Sequence, residues 1–340
     1  MTILKQLSTT KKVISTVLLC LSTMVFSIPS SYAASQINIR VYSSLPENNN
    51  SAHYLWYARF KENLANKTGD KVKFSFFPNA MLGKEADAAQ QVKVGALDIM
   101  ISGTSIWSTL VPEIGILDSG YLFNDMNHVG RSLDGDAGNK LAAIMQKKAN
   151  IQVLGFGYSL GARNIYTKKP VNTPEDLNSL KIRALPVPNF LETIKSMGAV
   201  PIPMPGGEVY SGLQMGVIDG VEHDAPTVLT SKYYEQTKNA ILSQHIYNPI
   251  VAVMNKQAFE RLPSELKQEF LAAAKEATQY ERSLSSTAEQ QAISELKSLG
   301  VNFIEVDRAY YKEKTKHVHE DFVKKYPQTQ EIVEYIYSVE

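Results

Sequence analysis

"PSELKQEFLAAAKEATQYERSLSSTAEQQAISELKSLG", Pro263–Gly300, contains no proline or glycine between its two ends. Leu266, Phe270, Ala274, Ala277, Leu284, Ala288, Ala292 and Leu296 recur at an approximately helical spacing, which predicts an amphipathic helix. If unbroken, about 35 residues rising ~1.5 Å each reach roughly 50 Å, longer than one lobe of an α/β protein. Such a helix would touch two bodies at once. The competing reading is two ordinary helices broken near "SLSS", Ser283–Ser286.

Upstream, strand and helix signals alternate in two regions, as expected of α/β lobes. In the first, "QINIRVYSS" (36–44) reads as a strand and "NSAHYLWYARFKENLANKTG" (50–69) as an amphipathic helix. "KVKFSFFP" (71–78) alternates as a strand, "GKEADAAQQVKVG" (83–95) is a helix stopped by Gly95, and "ALDIMISG" (96–103) is a buried strand. In the second, "NIYTKKPV" (164–171) is followed by a short helix at "TPEDLNSL" (173–180) and a strand at 181–184. The helix "NFLETIKSMG" (189–198) then carries Phe190, Ile194 and Met197 on one face. A short echo links the regions: "QVKVGALDIMIS" and "GLQMGVIDGVEH" share a helix, a glycine (Gly95, Gly216), an aspartate (Asp98, Asp219) and a strand. Two similar lobes, each entered more than once by the chain, suggest a hinged pair.

Residues 1–33 carry the marks of an export signal. Lys5, Lys11 and Lys12 precede the uncharged apolar run "VISTVLLCLSTMVFSI", and Ser31 and Ala33 are small residues at the positions a signal peptidase reads. Cleavage after Ala33 is expected, leaving an exported chain that is not embedded in a membrane. Cys20, the one cysteine, leaves with the signal, so about 300 residues must be stable through their cores without a disulfide. Of 35 basic residues three lie in the signal, so 32 remain against 34 acidic ones, a charge of about −2. That balance argues against nucleic acid, which requires a concentrated basic face.

Catalytic motifs are weak. "GYSLG", Gly157–Gly161, fits the nucleophile-elbow pattern, which needs a helix directly after its serine. "ARNIYTKKP" follows instead, rich in strand formers, so a serine hydrolase using Ser159 is only the alternative function. His317 and His319, two apart, fall on different helix faces and lack the spacing of a metal site. No Walker loop or GxGxxG occurs. No cofactor and no metal are expected.

Binding remains. In "SLKIRALPVPN", Ser179–Asn189, Arg183 ends a short strand ahead of a proline turn and a helix N-terminus. Ligands of open α/β sheets sit beyond such strand ends. A guanidinium fork takes a carboxylate through two parallel hydrogen bonds. By alternation Arg183 also shares a face with Lys181, so a solvated strand residue is the plain alternative. Arg163, in "GARNIY", lies twenty residues earlier.

"PNAMLGKEADAAQQVKVGALDIMISG", "VPEIGILDSGYLF", "KPVNTPEDLNSLKIRALP" and "GAVPIPMPGGEVYSGLQMGVIDGVEHDAP" together resemble the DctP-type solute-binding proteins of TRAP transporters, in order over roughly Ile37–Leu299. The resemblance implies an α/β, two-lobed periplasmic-binding-protein fold with a hinge and a long helix spanning both lobes. On that outline 34–160 form lobe I, rejoined by about 249–288, and 161–248 form lobe II, rejoined by about 289–340. It implies a monomeric periplasmic receptor, not an enzyme, that delivers a small organic acid to sodium-coupled TRAP membrane subunits.

The family's carboxylate-binding arginine falls on Arg183, and a second arginine used by some members on Arg163. Where many members carry Asn after the Glu of "DGxE", this chain has His223, followed by Asp224. An acid beside the cleft repels a fully anionic ligand. It suits a hydroxylated monocarboxylate such as a sugar acid, or an Asp224–His223 pair that fixes one imidazole tautomer; otherwise Asp224 faces solvent. Dicarboxylates, keto acids, acyl or amino acids and small sulfonates stay open. From the opposite lobe Ser102, Thr104 and Ser105 are candidate donors and Trp107 a candidate wall. Tyr158, Tyr210 and His53 are further candidates.

Overall fold

The computed structural model describes residues 36–340; the predicted signal, 1–33, lies outside them. The chain opens with β1 (Ile37–Ser43), α1 (Ala52–Thr68), β2 (Val72–Phe77), α2 (Glu85–Val94) and β3 (Ile99–Gly103). Two 3-10 segments, Thr104–Thr109 and Pro112–Asp118, lead to α3 (Met126–Asp134), α4 (Asp136–Ala149) and β4 (Ile151–Tyr158). The second region holds β5 (Arg163–Thr167), β6 (Lys181–Ala184), α5 (Pro188–Ser196), β7 (Val200–Pro203), α6 (Val209–Gln214) and β8 (Gly220–His223). After α7 (Ala225–Thr230) come β9 (Asn239–Ile246), β10 (Pro249–Asn255), α8 (Lys256–Glu260), α9 (Ser264–Ser298), β11 (Asn302–Ile304), α10 (Arg308–Lys325) and α11 (Gln330–Ser338).

These strands form two sheets, of order β2-β1-β3-β10-β4 and β11-β9-β5-β8-β6-β7, one for each lobe. Strands β1, β2 and β3 are parallel, as are β6, β7 and β8. In each trio the chain leaves the first strand, pairs the next on one side and returns to pair the third on the other. The echo in the sequence has a physical counterpart there. Gly95 and Gly216 take positive φ, +78° and +75°, which glycine adopts without steric cost. Asp98 and Asp219 each accept the backbone N–H of a neighbouring strand, from Arg40 and Lys181, both at 2.9 Å.

The long helix is one helix. α9 runs 35 residues, about 50 Å, through "SLSS" without a break. Its N-terminal half packs on α1 and β4, and it also contacts α7 of the other lobe. Trp56 and Phe60 of α1 stack at 4.9 Å, Phe60 meets Phe270 edge-on at 5.4 Å, and Trp56 Nε1 donates to Thr278 Oγ1 at 2.9 Å. Burying each such aromatic contributes about 1.5–3 kcal/mol. Farther along, Ala292 and Leu296 enter the core beneath the second sheet with Tyr166 and Val221. A third core, holding Trp107, Ile116, Phe190 and Tyr311, joins elements of both sheets.

Besides α9, two short crossovers connect strands of the two sheets. Residues 159–162 lead from β4 to β5, and residues 247–248 lead from β9 to β10. No helix among the described residues is long and apolar enough to cross a membrane.

Candidate functional site

A cavity of about 370 Å³ lies between the two lobes, at the carboxyl ends of β1, β3, β6 and β8. Those are the points where strand order reverses in each parallel trio, so the following loops diverge and leave a crevice. The first lobe supplies Ser44 after β1, His53 at the start of α1, Glu85 at the start of α2 and Ser105 after β3. The second supplies Arg163, Arg183, His223 and Asp224, with Tyr210, Thr227, Thr230 and Tyr233 from the segments beyond.

Arg183 is 1% exposed, whereas Lys181 on the same face of β6 is exposed. The strand face is therefore wet at one end and covered at the other, where the cavity begins. Nε of Arg183 donates to the Met204 carbonyl at 2.8 Å. Among the described residues it has no salt bridge, and burial pulls its pKa below the ordinary value. A desolvated cation without an anion is costly unless something completes it.

Arg163 differs. Its guanidinium grips Glu222 of the neighbouring β8, with Nη2 donating to Oε1 at 2.9 Å and to the Glu222 carbonyl at 3.1 Å. The ring of Phe190 lies 5.1 Å from its Cζ. Burial works to lower the Arg163 pKa, but Glu222 outweighs it and raises it. Conversely, burial works to raise the Glu222 carboxyl, and Arg163 with His245 holds it down to about 2. His245 Nε2 lies 3.6 Å from Glu222 Oε2. Arg163 reaches the cavity with its charge already balanced; Arg183 does not.

Asp224 is 4% exposed rather than solvent-facing. Oδ1 caps α7 by accepting the Thr227 N–H at 2.9 Å, and Oδ2 lies 2.8 Å from His223 Nδ1. Burial opposes its ionisation, yet His223, Arg163 and the cap hold its pKa at about 2. Nδ1 of His223 also lies 3.0 Å from the Asp224 backbone N, so this one ring nitrogen meets both the carboxylate and the backbone N–H of Asp224. Burial and the Arg163 charge lower the His223 pKa, against the pull of Asp224. His53 is pushed down to about 3 by burial, against the pull of Asp224, and its Nδ1 meets Ser43 Oγ at 2.9 Å.

Not every expected residue reaches the cavity. Thr104 is buried and donates to the Pro249 carbonyl at 3.3 Å. Trp107 points into the shared core, its Nε1 donating to Ser102 Oγ at 3.1 Å. Residues 104–109 wind as a 3-10 helix, which turns Ser105 and Ile106 to the cavity and its neighbours away. Tyr158 lies under Arg282, 4.9 Å from Cζ to ring centre, outside the lining. Tyr210 lines the cavity with its hydroxyl donated to Glu235. Ser105 Oγ is buried without a partner.

Several lining groups were not singled out from sequence, Glu85 and Asn248 among them. Glu85 Oε1 accepts the Ser44 hydroxyl at 2.7 Å; burial raises its carboxyl, opposed by Ser44, Arg183 and Arg163. Asn248 donates to Asp118 Oδ1 at 3.2 Å. Glu85 sits at the N-terminus of a helix, where an acid is ordinary, so nothing local marked it. The double glycine Gly206–Gly207 was a visible signal: added Cβ atoms would meet open space there, at the cavity lining. At the rim, Lys84 Nζ and Glu208 Oε1 pair across the cleft at 2.9 Å.

The elbow reading of Ser159 fails on geometry. Its hydroxyl donates to the Gly161 carbonyl at 3.0 Å, and the chain continues into β5 rather than a helix. His317 faces Glu192 and Ser196, while His319 meets Tyr337.

The chain resembles proteins of known ligand. It is 34% identical over 285 residues to the 2,3-diketo-L-gulonate-binding periplasmic protein of Escherichia coli, covering 83% of this chain and 86% of that one. A TRAP periplasmic solute-binding protein from Citrobacter koseri with bound D-glucuronate superposes at TM-score 0.83 with 31% identity, covering 89% and 99%. One from Sulfitobacter with bound β-D-galacturonate superposes at 0.83 with 27% identity, covering 88% and 99%. The family pattern itself matches residues 43–326, so the chain belongs to the bacterial extracellular solute-binding proteins, family 7, the DctP family.

Proposed function

We propose that this chain is the periplasmic receptor of a TRAP transporter and that its ligand is a hydroxylated monocarboxylate of the hexuronate class. The observation that carries this is Arg183, a buried guanidinium with no carboxylate partner among the described residues, at the wall of a cavity between two lobes. A ligand carboxylate completes it through a forked pair of charge-assisted hydrogen bonds. Carboxylate acceptors also line the cavity, Glu85 from the first lobe and Asp224 from the second. Acceptors suit sugar hydroxyls and repel a second carboxylate, which disfavours dicarboxylates. Relatives that bind glucuronate and galacturonate support the same class.

Closure follows from differential affinity. A ligand that bridges Arg183 in one lobe and Glu85 or Ser105 in the other binds the closed form better and shifts the population toward it. Closure excludes water, strengthens the charged contacts and brings Lys84 to Glu208. The membrane subunits then meet a surface made from both lobes.

Calorimetric titration of the ligand-stripped protein tests the proposal. D-Glucuronate or D-galacturonate is expected to bind, with D-glucose and succinate far weaker. Tight binding of succinate, or silence toward both uronates, overturns the assignment.

A further inference from the structure

The "GYSLG" segment serves no elbow, yet its glycines and serine meet α9 at three successive points. Between the end of β4 and the start of β5, residues 159–162 have left one ladder and not entered the next. Their buried backbone groups need other partners. Glu281 Oε2 accepts the Tyr158 N–H, Ser285 Oγ donates to the Ser159 carbonyl, and Glu289 Oε1 accepts the Ala162 N–H, each at 2.9 Å. Spacing of four puts these three side chains on one face of the helix.

The glycines fit that approach. A Cβ on Gly157 would lie 2.5 Å from Glu281 Oε2, and one on Gly161 2.5 Å from Glu289 Cδ. Gly161 also holds φ +136°, which side-chain-bearing residues rarely adopt. The motif is a docking strip for the helix.

We propose that Glu281, Ser285 and Glu289 form a clasp on the long helix that holds the lobe crossover and thereby positions Ser159, Leu160 and Arg163 at the ligand cavity. Arg163 follows the clasped Ala162 directly, so releasing the clasp shifts the strand that carries it. Side-chain bonds to a crossover can re-form as the lobes rotate, unlike a strand ladder. The clasp is thus a device of the hinge, and its effect on affinity rests on the receptor reading above.

The clasp is also sensitive to protons. Glu281 is fully buried and its Oε1 has no partner. Burial pushes its carboxyl up to about 8, against the Tyr158 N–H and Arg282. Arg282 is turned to the Phe156 carbonyl and to Asp134 of α3, with the Tyr158 ring beneath it. Glu289 is likewise raised by burial, opposed by the Ala162 N–H and reinforced by Asp224, with Tyr166 and Tyr247 near it. Raising the pH through about 8 therefore places a charge inside the docked crossover.

The test titrates D-glucuronate from pH 6 to 9 into wild type, Glu281→Gln, Glu289→Gln and Gly157→Ala. Wild-type affinity should fall on the alkaline side, by roughly tenfold per pH unit at most. Glu281→Gln should lose that dependence, and Gly157→Ala should weaken binding by about tenfold or more at every pH. Unchanged affinity in Gly157→Ala together with a wild-type pH profile in Glu281→Gln overturns the proposal. If wild type ignores uronates, the receptor reading fails and ligand-free measurements judge the clasp. Amide exchange at Tyr158 and Ala162, and the interlobe distance by spin labels, should then change in the Glu281→Ala/Glu289→Ala double variant. Retention of both sinks the clasp on its own terms.

Discussion

Replacing Arg183 with Met separates a ligand anchor from a structural arginine, because the two roles differ in sign when no ligand is present. In the ligand-free protein Arg183→Met removes a desolvated, unpaired cation, which favours the fold. It also removes the hydrogen bond to the Met204 carbonyl, which costs about 1 kcal/mol. These offset, so ligand-free stability is expected within about 1 kcal/mol of wild type. Arg163→Met is the contrast. It strips Glu222, 0% exposed, of its forked partner and leaves a buried carboxylate, at a cost of about 3–5 kcal/mol. With D-glucuronate the contrast lies in binding. Loss of two charge-assisted hydrogen bonds at about 1.5–3 kcal/mol each weakens Arg183→Met roughly 10²- to 10⁴-fold. Urea denaturation of both ligand-free variants, followed by calorimetry, reads both quantities. If Arg183→Met unfolds as readily as Arg163→Met, Arg183 is a structural residue and the anchor reasoning is refuted.

Acid should unfold the protein by a defined route. Glu222 and Asp224, both held at about 2, contribute stability that is complete above their unfolded values near 4 and lost as pH falls toward 2, about 2–3 kcal/mol apiece. His53, neutral in the fold down to about 3, adds a loss that begins near its unfolded pKa of about 6.5. Urea midpoints from pH 7 to 2 check this, and His53→Gln should flatten the part between about 6.5 and 4. Gly155→Ala would bring a Cβ within 2.3 Å of Thr278 Oγ1, which holds Trp56, so a loss of about 1–3 kcal/mol is expected by thermal denaturation. Lys84→Glu sets two like charges across the cleft rim; uronate binding should weaken by about twofold to fivefold at low salt and recover in 1 M NaCl. A salt-independent loss would show that the rim pair acts by shape instead.

Much of the frame was legible along the chain because it depends on local pattern. A stretch of 35 helix formers without an internal Pro or Gly has no local reason to stop, and α9 does not stop. The "SLSS" ambiguity dissolved through contacts: Ser285 Oγ is occupied by the Ser159 carbonyl and Ser283 Oγ by the Tyr280 carbonyl, so these serines accompany the helix rather than break it. The Gly–Asp echo was visible as spacing, while the use of each aspartate to cap a neighbouring strand became visible only in the sheets.

At the site, residue type and position at a strand end were readable for Arg183, but its burial was not, since alternation puts it on the same face as exposed Lys181. Thr104, Trp107 and Tyr158 lay in the right segments and turned elsewhere, because a 3-10 winding and the packing of Arg282 decide which side chains face the cleft. Glu85 passed unnoticed for the opposite reason: its segment looked like an ordinary helix start.

By itself the sequence determined the alternating elements, the helical pattern of 264–298 and the arginine at the end of a strand, all set by neighbours within a few turns or pleats. Only the tertiary structure decided which arginine keeps its charge uncompensated. Glu222 is 59 positions from Arg163 along the chain and becomes its partner through the pairing of β5 with β8. Charge compensation falls off over a few ångströms through space, and separation along the chain does not report that distance.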